Sequence, residues 1–130
     1  MAAVQALFEL DFQDKPADPV IEERLAEASS LSPINQDFVR GLVRGVLHHK
    51  KEIDEEIGRA APQWPIDQIA HVDKNVLRLA IFELMFDNSA PAKVAITEAI
   101  ELARLLGSEA SPKFVNGVLG AVMAKKEEVT

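Results

Sequence analysis

The sequence predicts an all-α protein, and three observations support this prediction. Nowhere along the 130 residues do apolar and polar residues alternate with the period of two that marks a strand. Valine, isoleucine and leucine recur instead at spacings of three and four, which places them on one face of a helix. Proline and glycine divide these apolar stripes into about six or seven segments of helical length.

The first two predicted helices are short. Apolar side chains on one face predict a helix over residues 2–12. Asp18 and Pro19 have the order of a helix cap followed by a proline in the first helical position. We expect them to open a second, acidic helix.

A long third helix is predicted over residues 34–58 from a continuous apolar stripe. Gly41 and Gly45 lie one turn apart within it. Because glycine costs about 1 kcal/mol relative to alanine inside a helix, this pair indicates a close approach to another helix. Trp64, between two prolines, ends this half of the chain, and we expect it to cover an edge of the core rather than to bind a ligand.

The second half is predicted to form three further helices. Residues 73–86 are apolar almost all round, which is typical of the central helix of a domain. Residues 91–107 follow as an amphipathic helix. Ser111 and Pro112 are expected to cap the last helix, whose tail from residue 125 should fray.

Composition limits the compartment and the chemistry. The chain has no cysteine, which excludes disulfides and thiolate metal sites, and no apolar run near the ~20 residues of a membrane span. No charged and apolar leader opens it. We therefore expect a cytoplasmic protein without a membrane partner.

The sequence does not indicate catalysis. His48 and His49 are adjacent, so that their side chains point about 100° apart on a helix and cannot easily hold one metal ion. No glycine-rich phosphate loop, nucleophile elbow or dinucleotide fingerprint is present. We expect a binding protein rather than an enzyme, with no catalytic residues, no cofactor and no metal.

Charge is distributed unevenly along the chain. The net charge of −7 by itself argues against nucleic acid as a partner. Residues 1–30 and 66–110 are acidic, whereas residues 31–65 are neutral and residues 111–130 slightly basic. Such a molecule can use an acidic face for one partner and a basic face for another.

A row of bases lies on one face of the third predicted helix, at Arg40, Arg44, His48 and Lys51. Such a row can meet phosphates. Short charged rows are more often solvated faces, and we prefer that interpretation here.

Two further features are candidate binding surfaces. At the start of the last predicted helix, Lys113 can attract anions, Phe114 can stack on an unpaired base and Asn116 can bond base edges. The alternative places Phe114 in the core and Asn116 in a cap or turn. The second feature is a set of acids on or near the central helix, either a docking surface or ordinary surface: Asp67, Asp73, Glu83 and Asp87.

Four blocks of sequence stand in a fixed order. They are AVQALF at 3–8, VDKNVLRLA with FEL at 72–84, VAITEAIELA at 94–103 and KFVNGVL at 113–119. These blocks resemble the NusB family of bacterial transcription antitermination factors. The spacing is strict from residue 72 to residue 119, whereas residues 13–35 carry little of the resemblance.

The resemblance implies a single domain, residues 1–130, built as two small helical bundles at about 1–60 and 66–125. It implies binding to the boxA element of nascent RNA jointly with NusE, the small-subunit ribosomal protein S-ten. That pair serves an RNA polymerase antitermination complex, notably on ribosomal RNA operons, and catalyses no reaction. Some family members form homodimers.

The resemblance also assigns residues to the two partners. On the RNA side it implies Lys113, Phe114 and Asn116, with Gln5 as a weaker candidate. On the NusE side it implies Phe8, Asp67, Asp73 and Glu83. This division agrees with the charge pattern, because bases stand at the start of the last helix and acids on the central one.

The chain departs from the family pattern at its start. NusB proteins usually begin with an arginine-rich segment, whereas here Met1 leads directly into Ala2. We expect that the segment has been clipped and that the chain as it stands binds RNA weakly, because each lost phosphate contact removes counterion release. Two alternatives stay open: a NusB-like RNA-binding domain of a ribosomal RNA cytosine methyltransferase, and a helical protein-interaction domain without a role in RNA binding.

Overall fold

The computed structural model describes residues 1–28, 30–87 and 90–129, with side chains up to residue 126. Within these ranges the chain forms helices and no strand, which confirms the predicted all-α class. The seven α-helices of the described chain are α1 (Ala2–Phe12), α2 (Ala17–Glu27), α3 (Pro33–His48), α4 (Lys50–Ala60), α5 (His71–Met85), α6 (Ala92–Leu106) and α7 (Ser111–Val129). A 3₁₀ turn, Ile66–Gln68, precedes α5. No helix in the described ranges has the length and apolar character needed to cross a bilayer.

Helix α5 is the centre of the fold, as its apolar character predicts. It packs against α1, α3, α4, α6 and α7. Leu77, Ile81 and Leu84 on this helix are completely buried or nearly so. Burial of such side chains contributes roughly 1.5–3 kcal/mol each, so α5 supplies much of the free energy that holds its neighbours. The division of the domain into two bundles stays a prediction.

The prediction of one helix over residues 34–58 is wrong. The chain breaks at His49, where φ is −103° and ψ is 14°, and α3 and α4 lie on either side. The ring of His49 stacks on Phe86 with 3.9 Å between centroids. The apolar stripe continues through the break, because Ile53 and Ile57 on α4 are also buried. The periodic pattern therefore contained no sign of the interruption.

The predicted close approach of helices is confirmed at Gly45 alone. A Cβ atom at Gly45 would lie 2.2 Å from Cζ of Phe82, so the ring occupies the space that any side chain would need. Nothing lies within 4 Å of a Cβ built at Gly41. Gly45 thus allows α5 to pack closely against α3, whereas Gly41 faces open space.

Two predicted helix starts need correction. α2 begins at Ala17 rather than at Pro19. Proline is tolerated there because the first turn leaves its N–H groups without intrahelical partners. Ser111 is the first residue of α7, and its Oγ accepts a hydrogen bond from the N–H of Ser108 at 2.9 Å. It closes the preceding turn instead of capping the helix. At its other end, α7 continues to Val129, past the point where fraying was expected.

Candidate RNA and protein interface

A buried ionic network ties α5 to α1. Asp11 of α1, only 7% exposed at its side chain, accepts hydrogen bonds from Asn75 at 2.8 Å and from Arg78 at 2.8 Å. His71 Nδ1 lies 3.0 Å from the same carboxylate, and Lys74 Nζ lies 3.3 Å from it. Burial alone would raise the pKa of Asp11, but the hydrogen bonds from His71, Arg78 and Asn75 outweigh it and hold that pKa well below its ordinary range.

The network continues from α5 to α4. Arg78 donates two hydrogen bonds to Asp54, at 2.8 and 2.9 Å, in the forked geometry that suits a guanidinium and a carboxylate. Burial would lower the pKa of Arg78, yet its bonds to Asp54 and Asp11 raise it. The network therefore fixes the orientation of α5, which carries or borders the candidate surfaces.

An open cleft of about 210 Å³ lies where the segment before α5 meets the start of α7. We call it the Trp64–Phe114 cleft after two of its walls, whose ring centroids lie 6.4 Å apart with the planes at 85°. Asp73, in the first turn of α5, also lines the cleft and is 8% exposed. Its Oδ1 has no hydrogen-bond partner among the described residues. The cleft thus has aromatic walls, whereas the unpaired oxygen of Asp73 is closed off from solvent.

The candidate RNA residues of α7 stand close together. Lys113 and Asn116 are exposed, whereas Phe114 packs against the core on one side and lines the cleft on the other. Phe114 thus lies partly in the core, while its stacking on an unpaired base stays a prediction. Asn116 lies within the helix rather than in a cap. Gln5 is exposed on α1 and lines a different groove, so the structure does not bring it into the Trp64–Phe114 cleft.

Trp64 does not cover the core as we expected. Its side chain is 48% exposed, and the aromatic ring that it contacts is Phe114. Flanking prolines hold it in the segment between α4 and α5. The face of α7 beyond the cleft is exposed and nearly free of side-chain bulk, with small residues at Gly117, Gly120, Ala121 and Ala124.

A second groove, of about 540 Å³, runs beside α1. Phe8 and Phe12 line it and are 36% and 58% exposed, with ring centroids 4.9 Å apart. Val72 and Leu106 extend its apolar lining, and Arg24 lies at its margin. An exposed aromatic pair in an apolar groove is typical of a protein-binding surface. Phe8 is one of the residues that the family resemblance implies for the NusE side, whereas Phe12 has the helical spacing of a core residue and gives no such signal in the sequence.

The acidic residues do not form one surface. Asp67 is exposed on the 3₁₀ turn, whereas Asp73 lies in the first turn of α5 and Glu83 near its end, about 15 Å further along the axis. Burial, together with the charges of Glu98 and Asp87, raises the pKa of Glu83 to about 7. Glu83 thus changes charge near neutrality.

The predicted basic row does not lie on one helix, because Lys51 is on α4 beyond the break at His49, and its two arginines on α3 are paired with acidic neighbours. Arg40 donates to Glu22 at 2.7 and 2.8 Å and to Asp37 at 2.7 Å, and Arg44 donates to Asp18 at 3.1 Å. These ion pairs support its interpretation as a solvated face. Within the part of the chain that the structure describes, no three histidine or acidic side chains converge as a metal site requires.

Comparison with known protein families identifies the family to which this sequence is similar. Residues 1–124 match the model of the NusB family. The chain belongs to the NusB family. The resemblance seen in the four sequence blocks is thereby confirmed, and the block KFVNGVL lies at the start of α7.

Individual relatives agree along nearly the whole chain. The transcription antitermination protein NusB of Roseiflexus castenholzii is 46% identical over 128 residues, which cover 97% of this chain and 89% of the relative. The structure of T. maritima NusB is 36% identical, with a TM-score of 0.88 over 98% of this chain and 92% of that one. A crystal structure of the antitermination factors NusB and NusE in complex with dsRNA contains a chain that is 27% identical, with a TM-score of 0.88 over 95% of this chain and 92% of that one. The names of these relatives describe a regulatory rather than an enzymatic role.

Proposed function

We propose that this NusB-family protein is a transcription antitermination factor that binds boxA RNA together with NusE, the ribosomal protein S-ten. In this role it supports processive transcription of ribosomal RNA operons within an RNA polymerase antitermination complex. The observation that carries the proposal is the likeness to the structure of NusB and NusE with dsRNA, at a TM-score of 0.88. The names of the curated relatives favour this role over that of a methyltransferase domain.

The RNA side of the proposal is the start of α7. Lys113 is exposed and free to meet a phosphate, Phe114 offers part of a ring and Asn116 offers an exposed amide. The small residues that follow on the exposed face of α7 leave room for a sugar–phosphate backbone to approach. Gln5 would contribute from α1, outside the cleft.

The NusE side of the proposal is the groove at Phe8 and Phe12. Its apolar lining offers the fully desolvated anchor points on which most protein interfaces depend. Asp67 contributes negative charge from another part of the surface, which favours a basic partner and raises its association rate. Glu83 adds to this charge only as the pH rises through about 7. Asp73 is too buried to add much to a broad protein contact.

An RNA-binding titration with and without NusE tests the proposal. We expect labelled boxA RNA to bind the protein more tightly when NusE is present, and more weakly at the higher of two salt concentrations because phosphate contacts release counterions. Binding that salt does not affect, or no binding even with NusE, contradicts the proposal.

The protein interface has a test of its own. Phe8→Glu places a charge in the apolar groove, and we expect it to weaken NusE binding at least about tenfold in calorimetry. Ile34→Glu is the matched control, because Ile34 is also an exposed apolar residue, at 81%, but lies on α3 outside the groove. Equal effects of the two variants, with helix content intact, contradict the assignment of this groove.

A further inference from the structure

We infer that the exposed face of α3 formed by Ile34, Phe38 and Gly41 binds the same face of a second copy of this chain, with the two α3 helices antiparallel. This contact lies outside the surfaces of the proposed function, because no residue of α3 lines the Trp64–Phe114 cleft or the groove at Phe8. It would therefore be a third interaction surface of the molecule.

The three residues share one side of α3. At 100° per residue, Phe38 lies about 40° from Ile34, and Gly41 lies about 20° from it in the other direction. Ile34 is 81% exposed and Phe38 is 49% exposed, whereas the buried side chains Val43 and Val46 point roughly 120–180° away from Ile34. Single exposed apolar residues are common on protein surfaces, but two large ones that are adjacent on a helix form an apolar stripe, which is typical of a contact surface.

Gly41 has no packing role within the described chain. Glycine destabilises a helix interior relative to alanine, so a close neighbour often accounts for its presence. Gly45, one turn later on the same face, has such a neighbour, because the ring of Phe82 lies where its side chain would be. Nothing lies within 4 Å of a Cβ built at Gly41. An aromatic ring from a second molecule can therefore pack on Gly41 as Phe82 packs on Gly45.

A second copy supplies such a ring in a symmetric register. When two α3 helices run antiparallel about a twofold axis midway between Phe38 and Gly41, Phe38 of each copy faces Gly41 of the other. In the same register, Ile34 of each copy faces Gly45 of the other and meets the half-buried ring of Phe82 there. Each contact occurs twice, as an isologous interface requires.

The charges beside this face fit the same register. Asp37 and Arg44 lie on one flank of the stripe and are both exposed, although Asp37 pairs with Arg40 at 2.7 Å and Arg44 with Asp18 at 3.1 Å. In the antiparallel pair, Arg44 of one copy lies about 3 Å along the axis from the position opposite Asp37 of the other. These attractions offset part of the repulsion between two molecules that each carry a net charge of −7.

This self-complementarity favours a second copy over an unrelated helix. One face carries both the ring and the glycine on which it packs, and its flank carries both signs of charge. A contact through a single pair of helices is at the small end of specific interfaces, which start near 1,200 Å² or below, so we expect a weak dimer with a dissociation constant on the order of 100 µM.

Sedimentation equilibrium of the full chain, between about 10 µM and about 1 mM, measures the association. We expect the average mass to rise from 14.3 kDa, that of the monomer, toward twice that value. Phe38→Glu should weaken the dimer at least about tenfold, because it removes the ring and brings a charge to the contact. Val94→Glu is the matched control, because Val94 is also an exposed apolar residue but lies on α6, and it should leave the association unchanged.

Two further sets of variants separate this contact from a general loss of stability. Gly41→Ala should weaken the dimer about fivefold although alanine favours the helix, because the new methyl group meets the ring of Phe38 from the other copy. Asp37→Arg and Arg44→Asp should each weaken the dimer at least about threefold, and the double variant should recover most of that loss because it restores opposite charges.

The outcomes decide between a second copy and other occupants. A mass that stays at that of the monomer up to about 1 mM overturns the inference and leaves the face for a different protein. A dimer that persists unchanged in Phe38→Glu and Gly41→Ala also overturns it, because the association then uses another face. Losses that simply add in the double charge variant overturn the antiparallel register. RNA and NusE binding by Phe38→Glu at low protein concentration should match wild type, so failure of the proposed function is detected separately.

Discussion

Replacing Asp11 by alanine tests how much of the stability depends on the buried network. The wild-type carboxylate, 7% exposed, has three hydrogen-bond partners on α5 and a lysine at 3.3 Å. After the substitution Arg78 keeps only Asp54 as a carboxylate partner, and Lys74 keeps none among the described residues. The substitution therefore lowers the free energy of unfolding for two reasons. It removes hydrogen bonds, and it leaves buried positive charge without its carboxylate partner.

The size of the effect follows from these partners. Removing one member of a buried ionic network typically costs about 3–5 kcal/mol, because the remaining charges stay buried without compensation. A domain of 130 residues unfolds with an entropy of about 0.27 kcal/mol/K near its midpoint. We therefore expect Tm to fall by about 11–18 °C.

Calorimetry and urea unfolding at neutral pH measure the change. Asp14→Ala, in the exposed turn just beyond α1, is the control and should stay within about 0.5 kcal/mol of wild type. A loss below about 1 kcal/mol for Asp11→Ala would refute the reasoning, since the network would then contribute no more than a surface ion pair.

The pH dependence gives an independent check. Because folding lowers the pKa of Asp11, its contribution is complete above the unfolded value, near 4, and is lost as the pH falls toward the folded value. The stability curves of wild type and Asp11→Ala should therefore converge as the pH falls below about 4. Parallel curves would contradict the assignment of the low pKa to this carboxylate.

Four more substitutions have definite expected outcomes. Gly45→Ala should destabilise the fold by about 1–3 kcal/mol, because the new methyl group collides with Phe82, whereas Gly41→Ala should stabilise it by up to about 1 kcal/mol; equal effects in urea unfolding would contradict the close approach. Glu83→Gln should be the more stable protein at pH 8, by about 1–2 kcal/mol, and should lose that advantage below about pH 4, because folding raises the pKa of Glu83 and ionisation therefore destabilises the fold as the pH rises through about 7. Lys113→Ala should weaken RNA binding and make the slope of log affinity against log salt shallower by about 0.7–0.9; an unchanged slope would show that Lys113 meets no phosphate.

The spacing of apolar residues predicts the helical architecture but not the points at which helices are interrupted. The first helix and the buried central helix follow directly from apolar spacing, and both are confirmed. The break at His49 could not be predicted, because the buried face continues in phase across it and no proline or glycine marks it. Helix starts were misplaced where the expected cap does not act as one: Ser111 Oγ accepts from the N–H of Ser108, and Pro19 lies within the first turn of α2.

The polar residues show a different limit. Lys74, Asn75 and Arg78 look like interruptions of an apolar helix, and the sequence offers no way to pair them with acids more than twenty residues away. Family resemblance identified Phe114 as a candidate. The cleft that Phe114 shares with Trp64 became visible only when α7 was placed beside the segment before α5. The order of motifs in the sequence can thus indicate which residues form a surface. The shape of that surface depends on contacts between segments that are distant in the sequence.

Trp64 also gives the molecule a built-in optical reporter. The chain contains one tryptophan and no tyrosine, so fluorescence excited selectively at the indole comes from a single known position. That position lines the Trp64–Phe114 cleft and is half exposed in the free protein. A ligand that stacks there changes the polarity around the indole and quenches its light. Unlabelled protein and unlabelled RNA can therefore report occupancy of this cleft in real time, with no contribution from the groove at Phe8.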